Sequence, residues 1–154
     1  MAMGASSAVP ERRVWASSTL ETLHRKGLRN GGARHAVIDL LAEQDCCLTA
    51  QEIFDRLRES GRKVGIASVY RVLELLTSEA LVQRIELGSG IARYEPIHSG
   101  GDHHHHLVCD RCGRVEAFED PKLERALVDL ESTSGYLVAA HDVGLHGACA
   151  DCRS

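Results

Sequence analysis

The amino-acid sequence predicts an α+β fold built from two parts. Three observations support this prediction. Up to about residue 78, apolar side chains recur at helical spacing, with two capping-box patterns among them. A glycine-containing turn at residues 88–90 then separates two β-like runs. In the remaining residues, strand and helix signals alternate around two Cys-x-x-Cys pairs.

The composition excludes several protein classes. The chain has 154 residues, 44% hydrophobic and 26% charged, which is typical of a globular protein of one domain or two small ones. No apolar run approaches the ~20 residues of a membrane helix, and the first residues lack a secretory signal. A cytoplasmic protein with no membrane partner is therefore expected. In that reducing compartment, six cysteines indicate metal or redox chemistry rather than structural disulfides.

Charge is distributed unevenly along the chain. Residues 1–96 carry 13 Lys/Arg against 12 Asp/Glu, and residues 97–154 carry 5 against 10, which together give the formal net charge of −4. The acidic second part also holds a run of four histidines and four of the six cysteines. This asymmetry indicates two functional halves. The near-neutral first half does not by itself indicate a nucleic-acid-binding surface.

Four helices are predicted after a disordered leader at residues 1–14. The first begins at the capping-box pattern Ser18–Glu21 and ends at Gly27, and the second spans about 33–43. The third begins at a second capping box, Thr49–Glu52, and ends near residue 61. The fourth lies within residues 65–82, where the apolar positions at helical spacing are Ile66, Val69, Leu73 and Leu76.

A β-hairpin is predicted next, because residues 81–87 and 91–94 flank Gly88-Ser89-Gly90. The last three of these helices, followed by the hairpin, have the element order of a winged helix-turn-helix domain, which is predicted here for residues 15–96. Such a domain would place its last helix in the DNA major groove. Periodicity also leaves other small helical domains open, since many of them end in a hairpin.

A hinge is predicted at residues 97–101, followed by a small α+β domain at residues 102–154. Strands are expected at residues 103–109 and 114–118. A helix is expected from Asp120-Pro121 to Gly135, and a last strand at residues 136–143.

The two Cys-x-x-Cys pairs, Cys109/Cys112 and Cys149/Cys152, are separated by 36 residues. Four thiolates around one tetrahedral ion form the closed shell typical of structural zinc. A redox function is the alternative, but the βαβ context of thioredoxin-like motifs is absent from the predicted elements. A structural Zn²⁺ is therefore predicted.

The four consecutive histidines form part of a predicted strand. Their internal position argues against an expression tag, and a loosely chelating tract is a second alternative. In a strand, His103 and His105 share one face and His104 and His106 share the other, so each pair supplies half of a metal site. The candidate partners elsewhere are Cys47, Glu95, Glu124 and His141. Cys46 is predicted to be a small core residue, because a disulfide with the adjacent Cys47 would be strained.

Three motifs in this order resemble the ferric uptake regulator family of bacterial metal-dependent repressors. They are GIASVYRVL at residues 65–73, HHHHLVCDRCG at residues 103–113, and His141 followed by GACADC at residues 147–152. The resemblance extends over residues 20–152. It implies a homodimer with an N-terminal winged helix on palindromic double-stranded DNA and a C-terminal α+β dimerisation domain.

The resemblance also implies three sets of metal ligands. The structural Zn²⁺ would be held by Cys109, Cys112, Cys149 and Cys152. A regulatory divalent ion at the hinge would be held by Glu95, His104, His106 and Cys47. An additional site in the dimerisation domain would be formed by His103, His105, Glu124 and His141.

Two positions depart from the family pattern. Cys47 stands where many members have histidine, and the acidic residue after the Cys-x-x-Cys turn is displaced by one position, to Glu116. Because thiolate is a softer ligand that favours Zn²⁺ over hard ions, zinc is the predicted regulatory ion, with Fe²⁺ as the alternative effector. Sensors of peroxide or of another metal within the same family are further alternatives.

The predicted function is a metal-responsive repressor that controls metal homeostasis, with no small organic substrate. An enzyme is not predicted, because the sequence has no His-Glu-x-x-His helix and no paired nucleophile and base. A zinc storage protein is another alternative, although it would not need the motif at residues 69–73. The predicted DNA contacts are Ser68, Tyr70, Arg71, Arg34 and Lys63.

Overall fold

The structure is a computed structural model that describes residues 8–29, 31–98 and 104–153, with side chains from residue 13 onward. The chain divides into two compact units, residues 1–100 and residues 101–154. Within the described ranges, no helix is both long and apolar enough to cross a lipid bilayer.

The first unit contains four helices. They are α1 (Ala8–Arg25), α2 (Gly32–Glu43), α3 (Ala50–Glu59) and α4 (Ile66–Ser78). The last three agree with the predicted helices to within a few residues at each end.

Helix α1 differs from its prediction in two ways. It begins at Ala8, so residues 8–14 are helical rather than disordered, while residues 1–7 lie outside the described residues. Ser18, predicted as an N-cap, lies in the middle of the helix, where its Oγ donates to the Trp15 carbonyl at 3.1 Å. The longer helix is stabilised by Trp15 and Leu23, which are buried in the core. Pro10 is compatible with its first turn, where backbone N–H groups have no intrahelical acceptor.

The helices of this unit begin in two different ways. Thr49 caps α3: its Oγ1 accepts from Glu52 N at 3.1 Å, and the Glu52 carboxylate accepts from Thr49 N at 2.7 Å, which confirms the predicted capping box. Helices α2 and α4 follow Gly31 and Gly65, with no side-chain cap and no acidic residue in the first turn. Their N-termini therefore keep a partial positive charge that no side chain of the first turn compensates.

A three-stranded sheet completes the first unit. Strands β2 (Val82–Glu86) and β3 (Ala92–Pro96) form the predicted hairpin, and Gly88 and Gly90 in its turn have φ of 79° and 73°, which glycine adopts without strain. The short strand β1 (Leu48–Thr49) pairs with the other edge of β3, giving the order β1-β3-β2. Two residues are too few for periodicity to predict a strand.

The hydrophobic core of this unit lies between the helices and the sheet. Its fully buried aliphatic side chains are Leu23, Val37, Ile38, Leu41, Ile53, Val69, Leu73, Leu76 and Val82. Each such side chain stabilises the fold by roughly 1.5–3 kcal/mol relative to exposure. Every helix of the unit contributes at least one of them, so the core holds the orientation of α4.

The second unit has a sheet and one helix. Strands β4 (His105–Cys109) and β5 (Val115–Phe118) are antiparallel, and β6 (Gly144–Gly147) is parallel to β4, in the order β5-β4-β6. Helix α5 (Pro121–Ser134) begins where the Asp120 carboxylate accepts from Lys122 N at 2.7 Å, and it ends at Gly135 with φ of 75°. Both ends of α5 are as predicted.

The strand predicted at residues 136–143 is wrong. These residues have no regular secondary structure, and Tyr136 and Leu137 are 77% and 93% exposed. The strand is β6, although glycine has a low strand propensity. It forms because parallel pairing with β4 satisfies its backbone, with His106 opposite Gly144 and Cys109 opposite Gly147.

The second unit buries few side chains. Helix α5 has no buried residue, and the buried residues in the described part of this unit are Cys109, His105 and His106. Its exposed large apolar residues are Leu107, Val128, Leu130, Tyr136, Leu137, Val138 and Leu145. Units this small with so little core are usually stabilised by a metal, a disulfide or a partner chain.

Candidate metal centres and DNA-contacting residues

The two Cys-x-x-Cys pairs meet at one end of the second sheet. Cys109 ends β4, and Cys112 lies in the following turn, where Gly113 N donates to Cys109 O at 2.8 Å. Cys149 and Cys152 lie in a similar turn after β6, in which Cys152 N donates to Cys149 O at 3.0 Å. The parallel pairing of β4 with β6 brings the two turns together.

The cysteine cluster fits a zinc ion. The four Sγ atoms lie within 4.8 Å of one another, and those of Cys112 and Cys149 are 3.8 Å apart. With Zn–S bonds of ~2.3 Å, two ligands of a tetrahedral Zn²⁺ are about 3.8 Å apart. Size, ligand number and ligand type therefore all agree with a structural Zn²⁺.

Hydrogen bonds give these thiols different proton affinities. Cys149 N donates to Cys109 Sγ at 3.3 Å, and this bond together with one from the Cys112 backbone lowers the pKa of Cys109 to about 6. Hydrogen bonds with the Cys149 and Cys112 side chains raise the pKa of Cys152 to about 12. The lowered pKa favours the thiolate of Cys109, the form that ligates metal.

Polar contacts around the cluster connect the same two turns. Arg114 pairs with Asp151 at 2.8 Å, which raises the pKa of the guanidinium, and Arg111 donates to the Cys152 carbonyl. His146 Nδ1 lies 3.0 Å from an Asp110 carboxylate oxygen. These pairings are not evident from the sequence, because the paired residues lie 36 to 41 positions apart.

A second cluster lies between β4, α5 and the segment before β6. His105 Nε2 is 2.6 Å from one oxygen of the Glu124 carboxylate, and His141 Nε2 is 3.3 Å from the other. The ligand atoms of the three residues lie within 4.8 Å of one another, and His105 is 1% exposed. Two imidazoles and one carboxylate are a donor set that divalent transition metals accept. His103, predicted as a fourth member, lies outside the described residues.

Strand alternation separates the described histidines. The ring centroids of His104 and His106 are 5.4 Å apart, whereas the His105 ring contacts His141 and Phe118, at centroid distances of 5.4 Å and 5.5 Å. His104 and His106 therefore share one face of β4, and His105 lies on the other.

In the first unit, Glu95 and Cys47 are brought together by the sheet. The antiparallel register pairs Leu48 with Tyr94, the neighbours of Cys47 and Glu95 in the chain, and the Glu95 charge acts on the Cys47 thiol. On the other side of β3, Gln83 donates to the Glu95 carboxylate. Both Glu95 and Cys47 are 2% exposed.

The environment of Cys47 opposes loss of its proton. Its contact with the Cys46 sulfur, its burial and the negative charge of Glu95 all raise the pKa of the Cys47 thiol. The prediction that Cys46 is a core residue is wrong, because its side chain is half-buried. It lies in the bend between α2 and β1, where the chain runs along the surface.

The predicted DNA contacts lie mainly at the start of α4. Tyr70 is 49% exposed, Arg71 is exposed, and Ser68 is half-buried in the first turn. Lys63 is exposed in the loop that leads to this helix. Arg34 is half-buried at the start of α2, where it donates to the Arg29 carbonyl. Side-chain donors and two uncapped helix N-termini are thus present in one unit, a combination that suits phosphate oxygens.

Comparisons of the sequence and of the structure with known proteins point to one family. The sequence profile of the ferric uptake regulator family matches residues 25–146. The ferric uptake regulation protein of Neisseria meningitidis serogroup C is 34% identical to this chain, and the match covers 89% of this chain and 94% of that protein. The ferric uptake regulation protein of Bacillus subtilis strain 168 is also 34% identical, and the match covers 85% of this chain and 89% of that protein. The ferric uptake regulator of Helicobacter pylori, whose structure reveals three functional metal-binding sites, superposes with a TM-score of 0.79 at 25% identity, covering 93% of this chain and 94% of that one.

Proposed function

The chain belongs to the ferric uptake regulator family, and from this premise we propose that it is a transcriptional repressor whose co-repressor is zinc. Members of the family are metal-responsive, DNA-binding regulators of transcription and not enzymes. The donor set carries the zinc assignment. The first unit supplies the buried Cys47 thiol and the Glu95 carboxylate, and the second supplies His104 and His106 on one strand face.

Cys47 is the donor that favours zinc. Soft thiolate ligands select Zn²⁺, imidazole suits several transition metals, and carboxylate suits harder ions. With a histidine at this position, the remaining nitrogen and oxygen donors would suit Fe²⁺ equally well. An iron-responsive repressor is the second candidate, because the relatives that are 34% identical are ferric uptake regulation proteins.

The proposed regulatory ligands flank the hinge predicted at residues 97–101. Cys47 and Glu95 precede it, and His104 and His106 follow it. If the four side chains hold one ion, the hinge is restrained, and so is the spacing of the two α4 helices in a homodimer. Only this spacing would match both half-sites of a palindromic operator. Thermodynamic linkage makes this effect reciprocal. If metal increases the affinity for DNA by some factor, DNA increases the affinity for metal by the same factor.

Operator recognition is assigned to α4 and its surroundings. Arg71 and Tyr70, exposed on this helix, would reach base edges or phosphates. Ser68, Lys63 and Arg34 would contact the phosphate backbone, which sets the position of the protein on the duplex.

Two further metal sites complete the proposal. Cys109, Cys112, Cys149 and Cys152 would hold a structural Zn²⁺ that joins the two turns of the second unit. His105, Glu124 and His141, with His103, would hold a second divalent ion within the dimerisation domain. The exposed apolar residues of this domain would be covered by the second copy of the chain.

The test is a fluorescence anisotropy titration on genomic fragments at buffered free concentrations of Zn²⁺, Mn²⁺ and, without oxygen, Fe²⁺. We expect Zn²⁺ to induce sequence-specific binding at the lowest free concentration. Binding induced by Fe²⁺ alone would establish the iron-responsive candidate. Metal uptake with no change in DNA affinity would contradict a repressor and support zinc storage.

A single substitution separates the two metal assignments. Cys47→His replaces the soft sulfur donor by a nitrogen donor. The ratio of the free Zn²⁺ concentration to the free Fe²⁺ concentration needed for DNA binding should therefore rise. Arg125→Ala, at an exposed position of α5, is the control for nonspecific effects. An unchanged metal preference in Cys47→His would exclude Cys47 as the residue that selects zinc.

A further inference from the structure

The half-buried Cys46 faces the same side as the buried Cys47. The Sγ atoms of the two residues, here called the vicinal thiol pair, are 3.8 Å apart. In an extended strand, adjacent side chains point to opposite faces. The pair escapes this alternation because Cys46 lies in the bend that connects α2 to β1. The bend thus converts two consecutive cysteines into convergent donors.

The separation of the vicinal thiol pair matches a metal chelate. It equals the 3.8 Å between Cys112 and Cys149 in the cysteine cluster of the second unit. It also equals the distance of about 3.8 Å expected for two thiolates on one tetrahedral Zn²⁺. Two sulfur atoms can therefore bind one ion here without moving apart or together.

A disulfide would fit the vicinal thiol pair less well. Consecutive Cα atoms are ~3.8 Å apart, whereas disulfides join Cα atoms at least about 4.4 Å apart. Closing the S–S bond would also require the sulfur atoms to approach to about 2.05 Å. A chelated ion avoids both distortions.

The surroundings of the vicinal thiol pair favour a soft, thiophilic metal cation. Cys46 is half-buried, so an ion can reach the pair from solvent, while Cys47 is 2% exposed and shields the bound form from water. Glu95, whose charge acts on the Cys47 thiol, adds a negative charge to the same region. The other four cysteines belong to the cluster in the second unit.

We propose that Cys46 and Cys47 together bind one thiophilic d¹⁰ cation as a bidentate dithiolate, and that Cys46 is thereby a second metal-selecting ligand of the regulatory site. On binding, the ion replaces the two thiol protons, which are released to solvent. The selective role rests on the proposed function, since it assumes that the ion at Cys47 is the co-repressor. Two thiolates, rather than one, would set the preference for zinc over iron.

The first experiment counts thiolates spectroscopically. Co²⁺ is added to the full-length chain with Zn²⁺ retained in the cysteine cluster, as verified by metal analysis, and the thiolate-to-cobalt charge-transfer absorption is recorded. We expect Cys46→Ser to lower this absorption to about half of the wild-type value, and Cys46→Ser with Cys47→Ser to abolish it. Gln44→Ala, in the same connection, is the control and should leave it unchanged. Wild-type absorption in Cys46→Ser would overturn the proposal.

The second experiment tests the pair without any DNA readout. Phenylarsine oxide, a trivalent arsenical that closes a ring on two thiols, should bind stoichiometrically to the chain that holds Zn²⁺ in the cysteine cluster only, and added Zn²⁺ should compete with it. Cys46→Ser and Cys46→Ala should each lose this binding while keeping the circular dichroism spectrum of the wild type. Binding that survives in both variants would show that the two sulfur atoms do not act as a pair.

DNA binding separates this inference from the proposed function. Cys46→Ser should raise the free Zn²⁺ concentration needed for operator binding by roughly tenfold or more, since even outer-shell partners change metal affinity by that factor. If Cys46→Ser and wild type respond equally to zinc, the inference fails and the proposed function stands. If the arsenical binds the pair but zinc has no effect on DNA binding of the wild type, the proposed function fails.

Discussion

At the scale of single residues, the proposed sites depend on side chains whose chemistry is changed by their neighbours. Cys47 and Cys109 are both thiols, yet one has a raised pKa and the other a lowered one. The difference arises because Cys109 accepts backbone hydrogen bonds that stabilise its thiolate, whereas Cys47 contacts the Cys46 sulfur and is buried near a carboxylate. A sequence shows the residue type but not this environment.

Arg71 is the residue on which DNA recognition should depend most. Arg71→Ala should weaken operator binding by about 1–3 kcal/mol, because a base or phosphate contact is lost, while leaving the zinc content unchanged. Anisotropy and metal analysis on the same preparation measure both. Arg125→Ala also removes one arginine, but from helix α5 of the second unit, and this control variant should bind operator DNA with wild-type affinity. Retained affinity in Arg71→Ala would remove its assigned role.

Metal affinity at the regulatory site should rise with pH. The raised pKa of Cys47 keeps this thiol protonated at pH 7, and a metal binds the thiolate, so each bound ion releases at least one proton. Apparent affinity should then increase about tenfold or more per pH unit. The range from about 7 to 8.5 avoids the titration of histidines.

Competition with a zinc chelator at several pH values gives this slope. Cys47→Ser should make this slope shallower, because one fewer thiol proton is released per bound ion. An affinity of the wild type that does not vary with pH would show that Cys47 is not a ligand.

At the scale of elements, the helices follow local signals and the last strand does not. The capping box at Thr49 and the Asp120-Pro121 start of α5 were predicted because both signals are contained in four or five consecutive residues. Strands β1 and β6 were missed because each depends on pairing with a distant strand. The capping-box pattern at Ser18 failed for a related reason: burial of Trp15 extends α1 past it.

The capping box of α3 should contribute measurably to stability. Thr49→Ala removes the acceptor for Glu52 N and should lower the free energy of unfolding by about 1 kcal/mol. Urea denaturation followed by circular dichroism measures the change. Thr133→Ala is the matched control, because its hydroxyl bonds only to carbonyls of its own helix, α5. Equal stability in the two variants would show that the cap does not stabilise α3.

At the scale of the whole molecule, the two units are stabilised by different means. The first has a core of buried aliphatic side chains from all four helices. The second has a cysteine cluster, a His/Glu cluster and many exposed apolar residues, but no buried residue on its helix. Members of the family function as dimers, and metal and partner chain together would replace the missing core.

Zinc removal should therefore unfold the second unit selectively. Cys149→Ser with Cys152→Ser should abolish hydrogen-exchange protection at β4, β5 and β6 and leave that of α2 and α4 unchanged, because metal binding contributes directly to folding in such small units. Mass spectrometry of peptides from both units measures this. Arg125→Ala, at an exposed position of α5, should keep the protection of both units. Wild-type hydrogen-exchange protection of β4, β5 and β6 in the Cys149→Ser, Cys152→Ser variant would contradict a structural role for zinc.

The sequence by itself determined the helix-rich first unit, the hairpin, the ends of α5, the pairing of two Cys-x-x-Cys motifs and the division of the histidine run between two faces. These features follow from periodicity, capping and short spacing, which act between neighbours in the chain. Only the tertiary structure decided that the Glu95 charge acts on Cys47, that Glu124 bridges His105 and His141, that Cys46 converges on Cys47, and that β6 rather than residues 136–143 is the last strand. These features depend on strand register and on bends that connect distant residues, and no local preference encodes such contacts.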